Sequence, residues 1–134
     1  MNTEALAHTW SPRLLGVLRI VTSFLFLQHG SSKLLHVPYV EWAAHTELMS
    51  LGGVAGVLEL IGGALLLIGL FSRPVAFILS GEMAVAYFMA HAPTAFLPII
   101  NQGELAVVFC FVFLYLWAAG PGAWSVDGLR RKSA

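Results

Sequence analysis

The sequence is poor in charged residues and in cysteine, and it has no excess of positive charge. Charged side chains make up 10% of the 134 residues and hydrophobic ones 58%, a balance far from that of a soluble domain. The seven basic and seven acidic side chains cancel, so nucleic acid is not an expected partner. A single cysteine, Cys110, excludes an internal disulfide, a CxxC redox pair and a cysteine metal cluster. We therefore expect one all-α membrane domain over residues 1–134, with the lipid bilayer as its first partner.

Four apolar runs are candidates for membrane crossing. A bilayer core of about 30 Å needs roughly 20 helical residues, and only a backbone with its hydrogen bonds satisfied can cross it. The runs cover about 14–35, 52–71, 74–91 and 103–119. The first contains Arg19, is longer than a signal-peptide core and has no small-x-small cleavage site after it, which favours a retained span. The sequence thus predicts an integral membrane four-helix bundle.

A very short connection between the second and third runs predicts a tight hairpin. Pro74 fits the first helical turn, where a missing N–H does no harm, and Ser72 is a candidate N-cap before it. Basic residues mark the cytoplasmic side of short loops. We therefore predict that both termini are cytoplasmic, because five basic residues then lie on the cytoplasmic side. These residues are Arg13, Arg73, Arg130, Arg131 and Lys132.

Seven ionisable side chains fall inside these runs, where an unpaired charge is costly. Each is expected to face a partner or water, and a carboxylate without a partner is expected to take up a proton. Counted along the helices, Arg19 and Glu82 lie at depths in the membrane that let them meet, either as a structural ion pair or in a functional role. His29 and Glu59 lie at a similar depth to each other. The candidates for ligand binding or proton relay are Arg19, His29, Lys33, Glu59, Glu82, His91 and Glu104.

Several of these candidates also have a purely structural interpretation. Lys33 is expected to extend to the membrane interface, and His91 at the end of a run is typical of an interfacial histidine. Asn101 and Glu104 have the spacing of a helix capping box. No metal site is predicted, because no two candidate ligands have a recognised close spacing such as HExxH.

Small residues in the second run predict close helix packing. Gly52, Gly56, Glu59 and Gly63 follow at steps of four, three and four, which places them on one helical stripe. Glycine lets helix backbones approach closely. The stripe therefore predicts packing through Gly52, Gly56 and Gly63, with Glu59 facing protein instead of lipid.

Short motifs are spread in order along nearly the whole chain. They are Leu18-Arg19-Ile20, Phe26, His29-Gly30 and Lys33; Glu59, Gly62-Gly63 and Gly69; Ser72-Arg73-Pro74; Glu82-Met83-Ala84 and His91; Asn101-Gln102-Gly103-Glu104; and the tail from Gly120 to Asp127. The order of these motifs resembles that of the DoxX family of small membrane proteins, and the tail departs from the usual family form at Ala123 and Val126.

The resemblance implies a four-helix bundle in the bacterial inner membrane. Family members are associated with membrane oxidoreductase systems, one branch resembling a subunit of a thiosulfate-quinone oxidoreductase and another linked to thiol and superoxide defence. It therefore implies a membrane component of a redox system, either non-catalytic or cofactor-dependent as an oxidoreductase subunit, with other proteins as partners. A quinone is the cofactor it suggests, with a quinone-like or lipid molecule bound at the intramembrane polar cluster.

Two other functional classes fit the same residues. Intramembrane acids and histidines suit a small proton-coupled transporter or carrier, although four spans leave little room for alternating access unless the protein forms a homo-oligomer. A structural subunit of a membrane complex, without its own activity, would use the glycine stripe for packing and the polar pairs to specify partners.

Overall fold

The computed structural model describes residues 2–133, and all the regular structure in that range is helical. A π-helical turn, Tyr87–His91, continues the fourth helix. The all-α prediction is confirmed. The helices are α1 (Thr3–Leu35), α2 (Glu41–Ala44), α3 (Leu51–Ile68), α4 (Ser72–Ala86), α5 (Pro98–Asn101), α6 (Glu104–Ala119) and α7 (Val126–Ser133).

Three helical segments within residues 2–133 are long and apolar enough to cross a membrane: α1, α3 and the continuous stretch Ser72–His91. Helix α6 is also apolar but has 16 residues. Its length of about 24 Å is shorter than a hydrocarbon core of about 30 Å. Large apolar side chains such as Phe24 and Phe111 lie exposed on the outside of the bundle, as expected for a surface that contacts lipid.

The long helices pack mainly as two pairs, α1 with α3 and α4 with α6. Phe26 of α1 joins the pairs, because its ring meets those of Phe109 and Phe113 on α6 edge-on, with centroids 5.2 Å and 4.8 Å away. Leu66 and Leu79 complete the same buried core. Phe26 and Phe109 of this aromatic contact also line the cavity of the candidate site.

Glycines bring α1 and α3 into close contact. A Cβ on Gly30 of α1 would overlap the backbone nitrogen of Leu60, and Cβ atoms on Gly56 and Gly63 would lie 3.2 Å and 3.1 Å from atoms of α1. Gly52 faces the preceding loop instead, so its predicted place in the helix contact was wrong. Because these glycines have no side chain, α3 packs closely against α1, and Glu59 lies in the contact between the two helices.

Two helix ends differ from the predicted runs. Helix α1 begins at Thr3, well before residue 14, because the Asn2 side chain accepts a hydrogen bond from the Ala5 N–H at 2.8 Å and caps the helix. Helix α3 ends at Ile68, before residue 71, because Gly69 adopts a left-handed φ of 71°.

The predicted cap of α4 was wrong, because Ser72 is already helical and Phe71 occupies the N-cap position. The tail supplies the cap instead: Asp127 accepts hydrogen bonds from the N–H groups of Phe71 and Ser72 at 2.9 Å and 2.8 Å. Partial burial raises the pKa of the Asp127 carboxyl, but these hydrogen bonds and the nearby Arg130 outweigh it. The net effect is a pKa below its ordinary value.

The tail folds back along the bundle beyond α6. The N–H of Ala123 donates to the Pro12 carbonyl at 2.8 Å, and the N–H of Asp127 donates to the Gly69 carbonyl at 2.9 Å. We call this the tail end, formed by the α3–α4 turn and residues 120–133. The opposite end, formed by connections 36–50 and 92–103, is called the loop end.

Candidate ligand-binding site

Arg19 lies at the tail end and is completely engaged by the backbone. Its side chain is fully buried, and all five of its N–H donors have an acceptor. The predicted pairing with Glu82 was wrong, because carbonyl groups at the end of α3 and in the tail accept all the hydrogen bonds that the guanidinium can donate. The acceptors, at 2.6 to 3.1 Å, are the carbonyl oxygens of Leu66, Leu67, Pro121, Ala123 and Trp124.

A cavity of about 580 Å³ lies at the loop end, between α1, α3, α6 and the π-helical turn. Phe26, Met83 and Phe109 form part of its apolar wall. The structure therefore brings four of the seven predicted site residues together in one space, and it places Arg19 elsewhere. The polar side chains that line the cavity are His29, Lys33, Glu59, His91 and Gln102.

Lys33 and Glu59 form an ion pair in the cavity wall. The Lys33 Nζ lies 2.8 Å from Glu59 Oε1, and the two side chains are only 14% and 4% exposed. The predicted extension of Lys33 to the interface was wrong, because the glycine contact brings Glu59 within reach of α1. The second carboxylate oxygen, Oε2, is buried and has no hydrogen-bond partner in the described part of the chain. It remains available as an acceptor.

Trp42 on the short helix α2 covers the cavity from the loop end. Its ring centroid lies 5.7 Å from the His29 ring and 6.0 Å from the Lys33 Nζ. Ala43, the next residue, is fully buried and anchors α2 to the bundle. Trp42 could not be assigned to the site from the sequence, since nothing in a loop sequence shows which helices the loop covers.

The π-helical turn directs His91 into the cavity, a geometry often found at functional sites. The His91 Nδ1 lies 3.0 Å from the Asn101 carbonyl oxygen. Because a carbonyl can only accept, Nδ1 carries the hydrogen, and Nε2 of the neutral ring is left as an acceptor. His91 is therefore oriented by a specific hydrogen bond as well as lying near the interface.

The Asn101 side chain stabilises the loop whose carbonyl accepts this hydrogen bond. It does not form the predicted capping box with Glu104, so that prediction was wrong. Its Oδ1 accepts from the Gly103 N–H at 2.8 Å, and its Nδ2 donates to the Ala95 carbonyl at 2.8 Å. Helix α6 has no side-chain cap, and Glu104 is exposed outside the cavity lining. The Asn101 side chain closes its own turn instead, which uses the acceptor that a capping box needs.

Glu82 borders a second space, a groove of about 550 Å³ between α3 and α4. Both of its carboxyl oxygens are buried, and neither has a hydrogen-bond partner among residues 2–133. Lys33 lines the groove as well as the cavity, so this lysine lies between the two. Glu82 thus belongs to the same polar region as Glu59 without being paired to it.

Over the residues that the structure describes, no three His, Cys, Asp or Glu side chains lie close enough together to hold a metal ion. The cavity instead combines one ammonium group, one carboxylate and two imidazoles with aromatic walls. Such a lining suits an organic molecule with a few polar atoms.

The apolar helices and the enclosed polar cavity define a helical membrane protein. The family model for DoxX matches residues 14–92, and the chain belongs to the DoxX family. It is 43% identical over 124 residues to an uncharacterized protein of Haemophilus influenzae, with 88% of this chain and 91% of the relative covered. It is 25% identical to an uncharacterized membrane protein of Mycobacterium tuberculosis, with 96% of this chain and 88% of the relative covered. No solved structure matches it.

Proposed function

We propose that the loop-end cavity binds a quinone-like amphiphile and that the protein is the membrane component of a redox system. The observation that carries this proposal is the Lys33–Glu59 pair, a buried donor and a buried acceptor that both face one cavity. The Lys33 ammonium has three N–H donors, and one is used by Glu59. Two donors and the free Glu59 Oε2 are therefore left for a ligand.

These groups suit both redox states of a quinone. The carbonyl oxygens of the oxidised ring accept hydrogen bonds, which Lys33 can donate. The hydroxyl groups of the reduced ring donate hydrogen bonds, which Glu59 Oε2 and His91 Nε2 can accept. Reduction adds two electrons and two protons to the ring. The electrons would come from a partner protein, while the side chains of the cavity hold protons next to the bound ring.

The size and walls of the cavity also suit a flat ring with a hydrocarbon tail. A volume of about 580 Å³ lies within the range of about 300 to 1,000 Å³ that is common for small-molecule sites. The rings of Trp42 and Phe109 line the cavity and both lie near the His29 ring, at centroid distances of 5.7 Å and 6.1 Å. Aromatic side chains in a cavity wall can stack on a planar ligand.

The proposal includes a membrane topology. Helix α6 crosses the bacterial inner membrane as a fourth span, and the tail end with both termini faces the cytoplasm. Support comes from Arg13, Arg73 and the basic end of α7, all at the tail end. Reporter fusions after Leu70 and after Ala95 test this. Activity of a cytoplasmic reporter only at the first position supports the topology, and the reverse pattern contradicts it.

Trp42 offers a direct test of ligand binding. Short-chain benzoquinone and naphthoquinone are titrated into the purified protein in detergent, and tryptophan fluorescence is recorded. Quinones quench nearby indoles, so we expect saturable quenching that is lost in Trp42→Phe and retained in Trp117→Phe. Quenching that stays linear with quinone concentration, or that is equal in both variants, contradicts a site at this cavity.

A second candidate function, a proton-coupled carrier, is favoured by the unpartnered carboxyl of Glu82 beside the Lys33–Glu59 pair. An intramembrane acid with no partner is typical of proton pathways. Proteoliposomes with an imposed pH gradient test this candidate. Proton flux that Glu82→Gln abolishes favours a carrier, whereas absence of flux in the wild type rejects it.

The Glu59→Gln variant separates both functions from a purely structural role. If the pair only specifies helix packing, the variant loses abundance or assembly but keeps any ligand signal. If the cavity is functional, a well-folded Glu59→Gln protein loses quinone quenching or flux.

A further inference from the structure

A second pocket lies at the tail end, remote from the cavity. It has a volume of about 470 Å³ and lies between the α3–α4 turn and helix α7. Three arginines line it, together with one carboxylate, Asp127. The arginines are Arg73, Arg130 and Arg131.

We propose that this pocket binds the phosphate group of an anionic phospholipid. The charge of its lining supports an anion, because three guanidinium groups face one carboxylate. Asp127 offsets only one of the three positive charges, and its two oxygens already accept from the N–H groups of Phe71 and Ser72. Within residues 2–133, none of the three arginines forms an ion pair shorter than 4.0 Å.

The tail places two of these arginines, Arg130 and Arg131 of α7, beside the α3–α4 turn. Asp127 caps α4 while its own N–H donates to the Gly69 carbonyl, so the start of α7 is fixed beside the turn. The Arg130 guanidinium lies 5.5 Å from the Phe71 ring centroid, a distance typical of a cation–π contact. Guanidinium groups match the geometry of phosphate oxygens, which favour bidentate contact.

Arg73 is oriented by the end of α6. Its Nη1 donates to the carbonyls of Trp117 and Ala118, both at 2.6 Å. Its Nη2 and Nε have no acceptor in the part of the chain that the structure describes. One edge of the guanidinium is therefore anchored, and the other is free to contact an anion.

The surroundings favour a lipid over a soluble phosphate. Phe71, which lines the pocket, has an exposed side chain. The apolar helices α3 and α4 meet at this turn, which places the pocket at the level where lipid headgroups lie. A lipid phosphate could enter between the arginines while its acyl chains cover the exposed Phe71. This inference does not depend on quinone binding.

Native mass spectrometry of the full-length protein in detergent tests the proposal, with phosphatidylglycerol and phosphatidylcholine titrated separately. We expect tighter binding of phosphatidylglycerol. The double change Arg130→Gln and Arg131→Gln is expected to weaken phosphatidylglycerol binding by about 25-fold, because each arginine near a membrane surface contributes about fivefold. Arg131→Gln alone is expected to weaken it by about fivefold. These side chains are exposed, so normal helical circular dichroism is expected.

The matched control removes two basic charges outside the pocket, in Arg13→Gln with Lys132→Gln. We expect this control to change phosphatidylglycerol binding less than twofold. Equal weakening in the two double variants would show that general surface charge is responsible and overturns the site. Full displacement of the lipid by millimolar glycerol 3-phosphate, through the same arginines, would identify a soluble anion and overturn the lipid assignment.

Discussion

The two ends of the bundle differ in whether their buried charged groups have all their hydrogen bonds satisfied. At the tail end, Arg19 is fully buried, and each of its five donors meets a backbone carbonyl. At the loop end, Lys33 and Glu59 are paired, yet Glu59 Oε2 and both Glu82 oxygens are buried without a hydrogen bond in the described range. A cavity adjoins the loop-end pair.

This difference separates structural polar groups from candidate functional ones. A fully satisfied network makes the fold rigid and leaves nothing for a ligand. Buried polar atoms without a partner are uncommon and costly, so they call for an explanation. At the loop end we propose a bound ligand as that explanation, whereas at the tail end the carbonyl groups of the tail already accept from Arg19.

Arg19 should give the largest effect on stability. In Arg19→Met, five carbonyls lose their hydrogen bonds to the guanidinium at once, and the tail loses the side chain that links it to the end of α3. We expect a loss of about 3 kcal/mol or more, measured as a lower melting temperature in detergent. Arg13→Met at the same end is the control and should melt like the wild type. A stable Arg19→Met protein would remove the structural role that we assign to the tail end.

The loop-end pair should show strong coupling. Lys33→Met leaves the Glu59 carboxylate buried and unpaired, at a cost of about 3 kcal/mol. Adding Glu59→Gln to that variant should recover most of the stability while quinone quenching stays absent. A double-mutant cycle from thermal melts measures the coupling, expected at about 1 to 3 kcal/mol. Additive effects would contradict a buried ion pair.

The close contact of α1 and α3, which supports the loop-end cavity, can be tested with two glycines. Gly30→Ala places a Cβ against the backbone of α3 and should cost about 1 to 3 kcal/mol. Gly81→Ala is the matched control, because a Cβ there meets nothing within 4 Å. It should stabilise the protein by about 0.5 to 1 kcal/mol. Equal melting temperatures of the two variants would argue against the packing.

The Asp127 cap should give the smallest effect. Since its folded pKa lies below the ordinary value near 3.8, the cap stabilises the protein above that value and is lost as pH falls through the lower folded pKa. Asp127→Ala should cost about 1 kcal/mol at pH 7 and should remove this loss of stability in acid. Melting curves from pH 7 to pH 3 measure both. A wild-type pH profile in Asp127→Ala would assign the acid sensitivity to another group.

Some of this arrangement could be predicted from sequence and some could not. The spacing of Gly56, Glu59 and Gly63 predicted a carboxylate that faces protein, and Glu59 is 3% exposed. The position of Lys33 was not predictable, because a lysine can equally reach the interface or a neighbouring helix.

The tail-end contacts were hidden for a different reason. The partners of Arg19 are backbone carbonyls, which every residue carries, so no residue type marks them in the sequence. Depth along the helices therefore favoured Glu82, a residue with the right charge. Likewise, the cap of α4 comes from Asp127, more than fifty residues away, where local capping rules do not apply.

Photoaffinity labelling with a short-chain azidoquinone tests the loop-end cavity most directly. After illumination of the protein in membranes, labelled peptides are mapped by mass spectrometry with and without excess unlabelled quinone. We expect competable labels near Trp42 and Phe109 and a strong reduction of both in Glu59→Gln. Labelling that unlabelled quinone does not reduce, or that falls only on the α3–α4 groove, would contradict a quinone site in this cavity.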